Sequence, residues 1–210
     1  ATTDGQRAAD EWGSIGAWAW GASRIVDYLE SDIAVDSQRI AILGFSRLGK
    51  TALWAAAQDA RFAAVIDCCS GLGGQSLFRR NYGETIAHIT APGAYAYWFA
   101  PEFAQHADDP ASLPFDAHFL LAMSAPRPVL LINGHQDTWA DPYGAYLAAR
   151  AASPAWTLTG GEGFAQDAPF PDLDTHIGDD LRYFIHDGGH GSAPADLAAI
   201  LGFLTEKLDR

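Results

Sequence analysis

The chain has 210 residues and a formal net charge of −13, from 13 Lys and Arg against 26 Asp and Glu. That length fits one domain with a substantial core, and the acidic balance argues against nucleic acid or an anionic membrane surface as partner. No apolar run reaches the roughly 18 residues that a membrane-spanning helix needs. The opening Ala1-Thr2-Thr3-Asp4 lacks the basic and apolar regions of a signal peptide, although a trimmed chain would begin the same way.

Residues 10–31 read as an amphipathic helix carrying Trp12, Trp18 and Trp20, with Ile25, Val26 and Leu29 continuing its apolar side. Residues 39–43 form a short apolar run, expected as a buried strand, which turns at Gly44 toward a helical stretch over 50–59. A second buried strand is expected over 62–68. It ends at Cys68-Cys69, adjacent thiols too strained to pair with each other and without a distant partner, so no disulfide framework is expected. Residues 70–113 are irregular and suit a long functional loop with short helices. Residues 118–124 look helical, 128–133 form a third strand ending at Gly134, and 141–152 form another helix. A Gly/Pro/Asp-rich loop covers 160–171, a fourth strand covers 182–186, and an amphipathic helix closes the chain over 193–208. Alternating strands and helices imply an α/β fold, with a mostly parallel sheet covered on both faces and residues 1–210 as one domain. Four strands make a small sheet, and the chain opens on a helix, so further strands are expected to be missing from its N-terminal side.

Gly44-Phe45-Ser46-Arg47-Leu48-Gly49-Lys50-Thr51 matches two motifs at once. As G-x-x-x-x-G-K-T between strand and helix it is a phosphate-binding loop, with Asp67 as a candidate magnesium-binding acid. As Gly44-Phe45-Ser46 it opens a nucleophile elbow, with Ser46 on a sharp strand-to-helix turn. A phosphate cradle favours small residues whose N–H groups wrap an anion, and Phe45, Arg47 and Leu48 are bulky. The elbow reading gains from an acid and a histidine after later strands, in the order Ser46, Asp137, His190. Against it stands Leu48, in the place of the second glycine of G-x-S-x-G.

His190 lies in Asp187-Gly188-Gly189-His190-Gly191, where flanking glycines let a loop carry an imidazole over a nucleophile as general base. Asp137, just past the third strand, can accept from the ring N–H of His190. Asp141 is its rival, with a helix cap before Pro142 as the plainer reading. His88, His106, His118, His135, His176 and His186 lack metal-ligand spacing, so neither a metal nor a cofactor is expected.

In these motifs the sequence resembles the glucuronoyl esterases, carbohydrate esterase family 15, in their bacterial branch. The resemblance rests on Asp10-Glu11-Trp12-Gly13, Ala17-Trp18-Ala19-Trp20-Gly21, Gly44-Phe45-Ser46-Arg47-Leu48-Gly49-Lys50 and Ser70-Gly71-Leu72-Gly73-Gly74. It continues in Arg79-Arg80-Asn81-Tyr82-Gly83-Glu84, Trp98-Phe99, Ala125-Pro126-Arg127-Pro128, Asp137-Thr138-Trp139-Ala140-Asp141-Pro142 and Gly188-Gly189-His190-Gly191. The offset glycine is usual in that family. The resemblance implies an α/β-hydrolase fold and cleavage of esters between lignin alcohols and 4-O-methyl-glucuronic acid on xylan, without a cofactor, by a secreted or periplasmic protein. By position it implies Ser46 as nucleophile, His190 as base and Arg47 as an aid to the oxyanion. Lys50 and Glu84 would meet sugar hydroxyls, with Trp139 and Trp98 at the sugar.

Two departures stand out. Cys69 occupies the place where many members carry a catalytic Glu, which leaves the acid's part to Asp137. Phe45 replaces the cysteine of the fungal motif, so the fungal disulfide is absent. Family domains also carry more sheet before the first helix, so the isolated chain is expected to be marginal in stability and weakly active or inactive. Another carbohydrate or acetyl esterase on the same scaffold, or a non-catalytic carbohydrate-binding remnant, are the other readings.

Overall fold

Five strands line up in the order β1-β2-β3-β5-β4 in the computed structural model, which describes residues 7–209. They are β1 (Ala41–Phe45), β2 (Ala64–Cys68), β3 (Val129–Gly134), β4 (Thr175–Gly178) and β5 (Leu181–His186). The first three and β5 run parallel, and β4 pairs antiparallel with β5. The helices are α1 (Ser14–Leu29), α2 (Arg47–Gln58), α3 (Ile86–Thr90), α4 (Ala117–Ala122), α5 (Pro142–Thr159) and α6 (Pro194–Leu208). The opening Ala1-Thr2-Thr3-Asp4 lies outside the described residues.

Neighbouring side chains on the central strands serve opposite faces. Val129 and Leu131 of β3 join the larger core with α1, α2, α4 and α5, while Leu130 and Ile132 join the smaller one with Phe203 of α6. Burial on both faces is why these strands read as unbroken apolar runs rather than alternating ones. The expected α/β-hydrolase-type fold, three layers around a mostly parallel sheet, is present.

The boundaries differ in instructive ways. The fifth strand, β4, escaped the sequence because it is a half-exposed edge strand with no apolar alternation. The first strand runs two residues later than the apolar run indicates, and α2 begins at Arg47, directly after Ser46. Helix α1 starts at Ser14 rather than residue 10. Helix α5 passes through Pro154 instead of ending at residue 152. A proline there strips the carbonyl of Arg150 of its helical partner, and Gln166 Nε2 donates to that carbonyl at 2.9 Å.

The irregular stretch after β2 is ordered by a core of its own, in which Leu72, Phe78, Ile86, Ile89 and Leu113 pack together. Asp116 Oδ1 anchors it by accepting from Phe78 N and Ala117 N, each at 2.7 Å. Because β1, β2, β3 and β5 are parallel, their C-terminal ends fall on one edge: Phe45 stands opposite Cys68, Cys68 opposite Ile132, and Gly134 opposite His186. The residues after each end therefore converge, as in other open α/β sheets.

Candidate active site

Ser46 joins β1 to α2 at φ 56° and ψ −126°, a region that a non-glycine residue enters only when its surroundings hold it there. Two glycines do so. A Cβ on Gly44 would stand 1.9 Å from the Leu48 carbonyl oxygen, so only glycine lets the turn close this tightly. A Cβ on Gly49 would stand 2.1 Å from Asp67 Oδ1, where the first turn of α2 crosses the end of β2. Leu48, in the generic second-glycine place, is 51% exposed and meets no such constraint. The offset glycine is thus set by contact with β2. Ser46 N donates to Cys68 O at 2.8 Å and pins the turn to that strand.

The Ser46 hydroxyl lies 3.1 Å from His190 Nε2, and His190 Nδ1 lies 2.6 Å from Asp137 Oδ2. Asp137 is buried, and its other oxygen accepts from Ala140 N at 3.1 Å. Asp141, its rival in the sequence, instead caps α5 by accepting from Gly144 N at 3.0 Å and holds Arg80 Nε. The loops bearing Asp137 and His190 are laced together. His135 N donates to His186 O, Gln136 N donates to Gly188 O, and Gln136 Nε2 donates to Asp187 Oδ1. One carboxylate also holds both ends of the histidine loop: Asp196 accepts from His186 Nδ1 and from Ala193 N, each at 2.7 Å. The Phe45 ring lies 5.0 Å from the His190 ring, a contact that the sequence did not announce.

Lys50 is buried, and its ammonium donates to Ser70 O at 2.6 Å, Leu72 O at 2.5 Å and Glu84 Oε2 at 2.7 Å. Burial pulls the lysine below its ordinary pKa, with the Glu84 carboxylate pulling the other way. An ammonium has three protons, and all three are taken inside the protein. This arrangement ends the phosphate-loop reading, because Lys50 cannot also reach a nucleotide. Asp67, its candidate magnesium ligand, is buried with Oδ2 accepting from Ser70 Oγ at 2.5 Å. Glu84 is fixed by its N–H, which donates to Trp139 O at 2.7 Å. Trp139 itself is 46% exposed with its ring 5.2 Å from that of His88. The side chain of Arg47 is exposed and makes no hydrogen bond or ion pair among the described residues.

The sequence matches the family described as glucuronyl esterase, fungi, over residues 7–160. The chain belongs to the glucuronoyl esterases, carbohydrate esterase family 15. It is 41% identical over 194 residues to carbohydrate esterase MZ0003 of an unknown prokaryotic organism, covering 92% of this chain and 44% of that protein. It is 36% identical over 160 residues to 4-O-methyl-glucuronoyl methylesterase 1 of Phanerochaete chrysosporium, covering 71% of this chain and 34% of that protein. A solved glucuronoyl esterase from Solibacter usitatus superposes with a TM-score of 0.89 at 41% identity, over 97% of this chain and 52% of that one. The chain spans about a third to a half of the length of the relatives it matches.

Against the family pattern, the position of Trp98 differs from expectation. Its indole is buried, stacks on Tyr95 at 4.2 Å and lies 5.8 Å from Lys50 Nζ. It lines an aromatic cavity of about 620 Å³ with Trp12, Trp54, Phe99 and Phe119, and none of Ser46, Asp137 or His190 lines that cavity. Trp98 therefore packs behind Lys50 rather than beside Trp139. Cys68 and Cys69 are both free and buried, each thiol pushed up by its burial, Cys69 to about 12.

Proposed function

We propose that this chain carries the catalytic machinery of a serine esterase that hydrolyses esters of 4-O-methyl-glucuronic acid, such as lignin–carbohydrate links on glucuronoxylan. The unbroken line Ser46–His190–Asp137 at the C-terminal edge of the sheet carries the reading. The printed name of the Phanerochaete relative, a 4-O-methyl-glucuronoyl methylesterase, supports the substrate class.

In the first step Ser46 Oγ attacks the uronate ester carbonyl while His190 Nε2 takes its proton, with Asp137 holding the ring and offsetting the imidazolium charge. The tetrahedral oxyanion forms over the start of α2, whose first N–H groups have no carbonyl a turn behind them. The free guanidinium of Arg47 swings to the same charge, and donors aimed at a developing oxyanion contribute several kcal/mol in such sites, about 3–4 for one donor. Collapse expels the alcohol, which takes the His190 proton. Water then repeats the sequence on the acyl-enzyme and frees the uronic acid. Glu84 Oε1, which has no partner among the described residues, accepts from a sugar hydroxyl, and Trp139 lies against the sugar ring. Lys50 acts through Glu84, which it fixes, because its own protons are already bound. Xylan does not cross membranes, so we read the protein as secreted or periplasmic; none of its described helices is long and apolar enough to cross one.

The test is hydrolysis of benzyl glucuronate beside p-nitrophenyl acetate. Ser46→Ala is expected to abolish turnover of both, and Asp137→Asn to lower it by about 10⁴ through loss of the productive imidazole tautomer. Turnover surviving in Ser46→Ala overturns the mechanism. Turnover of the acetate alone overturns the substrate class.

A further inference from the structure

The catalytic line leaves one thiol beside it unused. Cys69 follows β2 with its backbone at φ 51°, the left-handed region that a non-glycine residue rarely adopts. Cys68, its neighbour, faces the α6 side of the sheet. The Cys69 thiol faces the acid and the base instead: its Sγ, a carboxylate oxygen of Asp137 and a ring nitrogen of His190 all lie within 4.8 Å of one another. Cys69 and Asp137 are buried, whereas the His190 side chain is 39% exposed and opens the group to solvent. Whole strands and helices separate the three residues in the chain, and the fold brings them together.

We propose that Cys69, Asp137 and His190 form a site for a thiophilic divalent cation, zinc or cadmium, and that occupation silences the esterase. Thiolate, imidazole and carboxylate are the ligands zinc accepts, at about 2.3, 2.0 and 2.0–2.2 Å, and three protein ligands leave a fourth position for water. Ligand atoms in a tetrahedron of that size stand roughly 3.3–3.7 Å apart, so His190 Nδ1 and Asp137 Oδ2, 2.6 Å apart without metal, part to admit the cation while the Cys69 thiol stays within 4.8 Å of both. Gly188, Gly189 and Gly191 give the histidine loop that latitude. A thiolate ligand also selects zinc or cadmium over magnesium and calcium.

The proton balance explains the loss of activity. Without metal, His190 carries its proton on Nδ1, toward Asp137, and offers the Nε2 lone pair to Ser46. With metal on Nδ1, the neutral ring carries that proton on Nε2, which then donates to Ser46 and cannot accept from it. The thiol proton leaves to solvent, so each cation releases one proton. The inhibitory half of this proposal rests on the Ser46–His190 reading, but the binding half does not.

Two measurements separate them. Titration with cadmium, followed by thiolate-to-cadmium charge-transfer absorbance, is expected to saturate at one equivalent with one proton released. The band should vanish in Cys69→Ala and persist in Cys68→Ala. Saturating zinc is expected to slow fluorophosphonate labelling of Ser46 by about 100-fold or more in the wild type and to leave the labelling of Cys69→Ala unaltered. A band undiminished in Cys69→Ala, or zinc slowing that persists there, overturns the site. Should the alanine variant fail to fold, Cys69→Ser serves equally, since a hydroxyl is not a soft ligand. If Ser46 never labels, the catalytic reading fails and the cadmium band alone decides the site.

Discussion

Around Ser46, single residues fix geometry by what they leave out. Gly44 and Gly49 omit the Cβ atoms that would strike Leu48 and Asp67, and Ser46 is held in its strained turn as a result. Asp67 bears the consequence of that close approach. Burial pushes its carboxyl from 3.8 up to about 7, against the opposing effects of the Ser70 hydroxyl and the Lys50 charge. Its Oδ1 has no hydrogen-bond partner among the described residues. In the unfolded chain this proton leaves at the ordinary value, and in the folded protein it leaves near 7. Over that window the native state binds more protons, so stability falls as pH rises through it and is level beyond. Asp67→Asn removes the titration. Melts from about pH 5 to about pH 8 should show the variant gaining on the wild type as pH rises; parallel curves would mean that Asp67 stays charged in the fold.

At the scale of elements, legibility followed from the kind of signal each element carried. The central strands announced themselves because burial on both faces demands continuous apolar runs. Ser46, Asp137 and His190 were readable because each follows a strand end in chain order. By contrast, β4 is an edge strand held by pairing with β5, and α5 survives Pro154 only because Gln166, 16 residues beyond Arg150, reaches back to the orphaned carbonyl. Long-range contacts of this kind have no local pattern. The buried use of Lys50 was hidden for the same reason, its partners being 20 to 34 residues away. The clamp on the histidine loop belongs to this class too. Asp196, in the first turn of α6, ties His186 at the end of β5 to Ala193 at the start of α6 and so fixes the span that carries His190. Asp196→Ala is expected to raise hydrogen exchange at the Ala193 amide. It should also slow Ser46 labelling about tenfold or more, as a hydrogen bond to a charged group contributes about 1.5–3 kcal/mol. Free exchange with labelling unchanged would show that His190 is positioned by Asp137 alone.

For the whole molecule, the same sheet that builds the site leaves a surface unprotected. The outer edge of β1 has no partner strand among the described residues, and Leu43 within it is 53% exposed. Helix α1 presents Trp18, Trp20, Ile25 and Tyr28 to solvent, and Phe119 of α4 and Met123 just after it are exposed too. An open strand edge is a template for pairing with another chain, and exposed apolar side chains, where they gather into a patch, mark surfaces that bind a partner or drive aggregation. The net charge of −13 opposes association at low salt but is screened at physiological ionic strength. The 210 residues on their own are therefore expected to unfold at low temperature, to lose cooperativity and to associate as salt is raised. Calorimetry and sedimentation across a salt series measure this directly. A sharp transition above about 60 °C, at the upper end of ordinary domains, with a monomer at every salt concentration, would show that the sheet tolerates an open β1 edge and that the site stands without further cover.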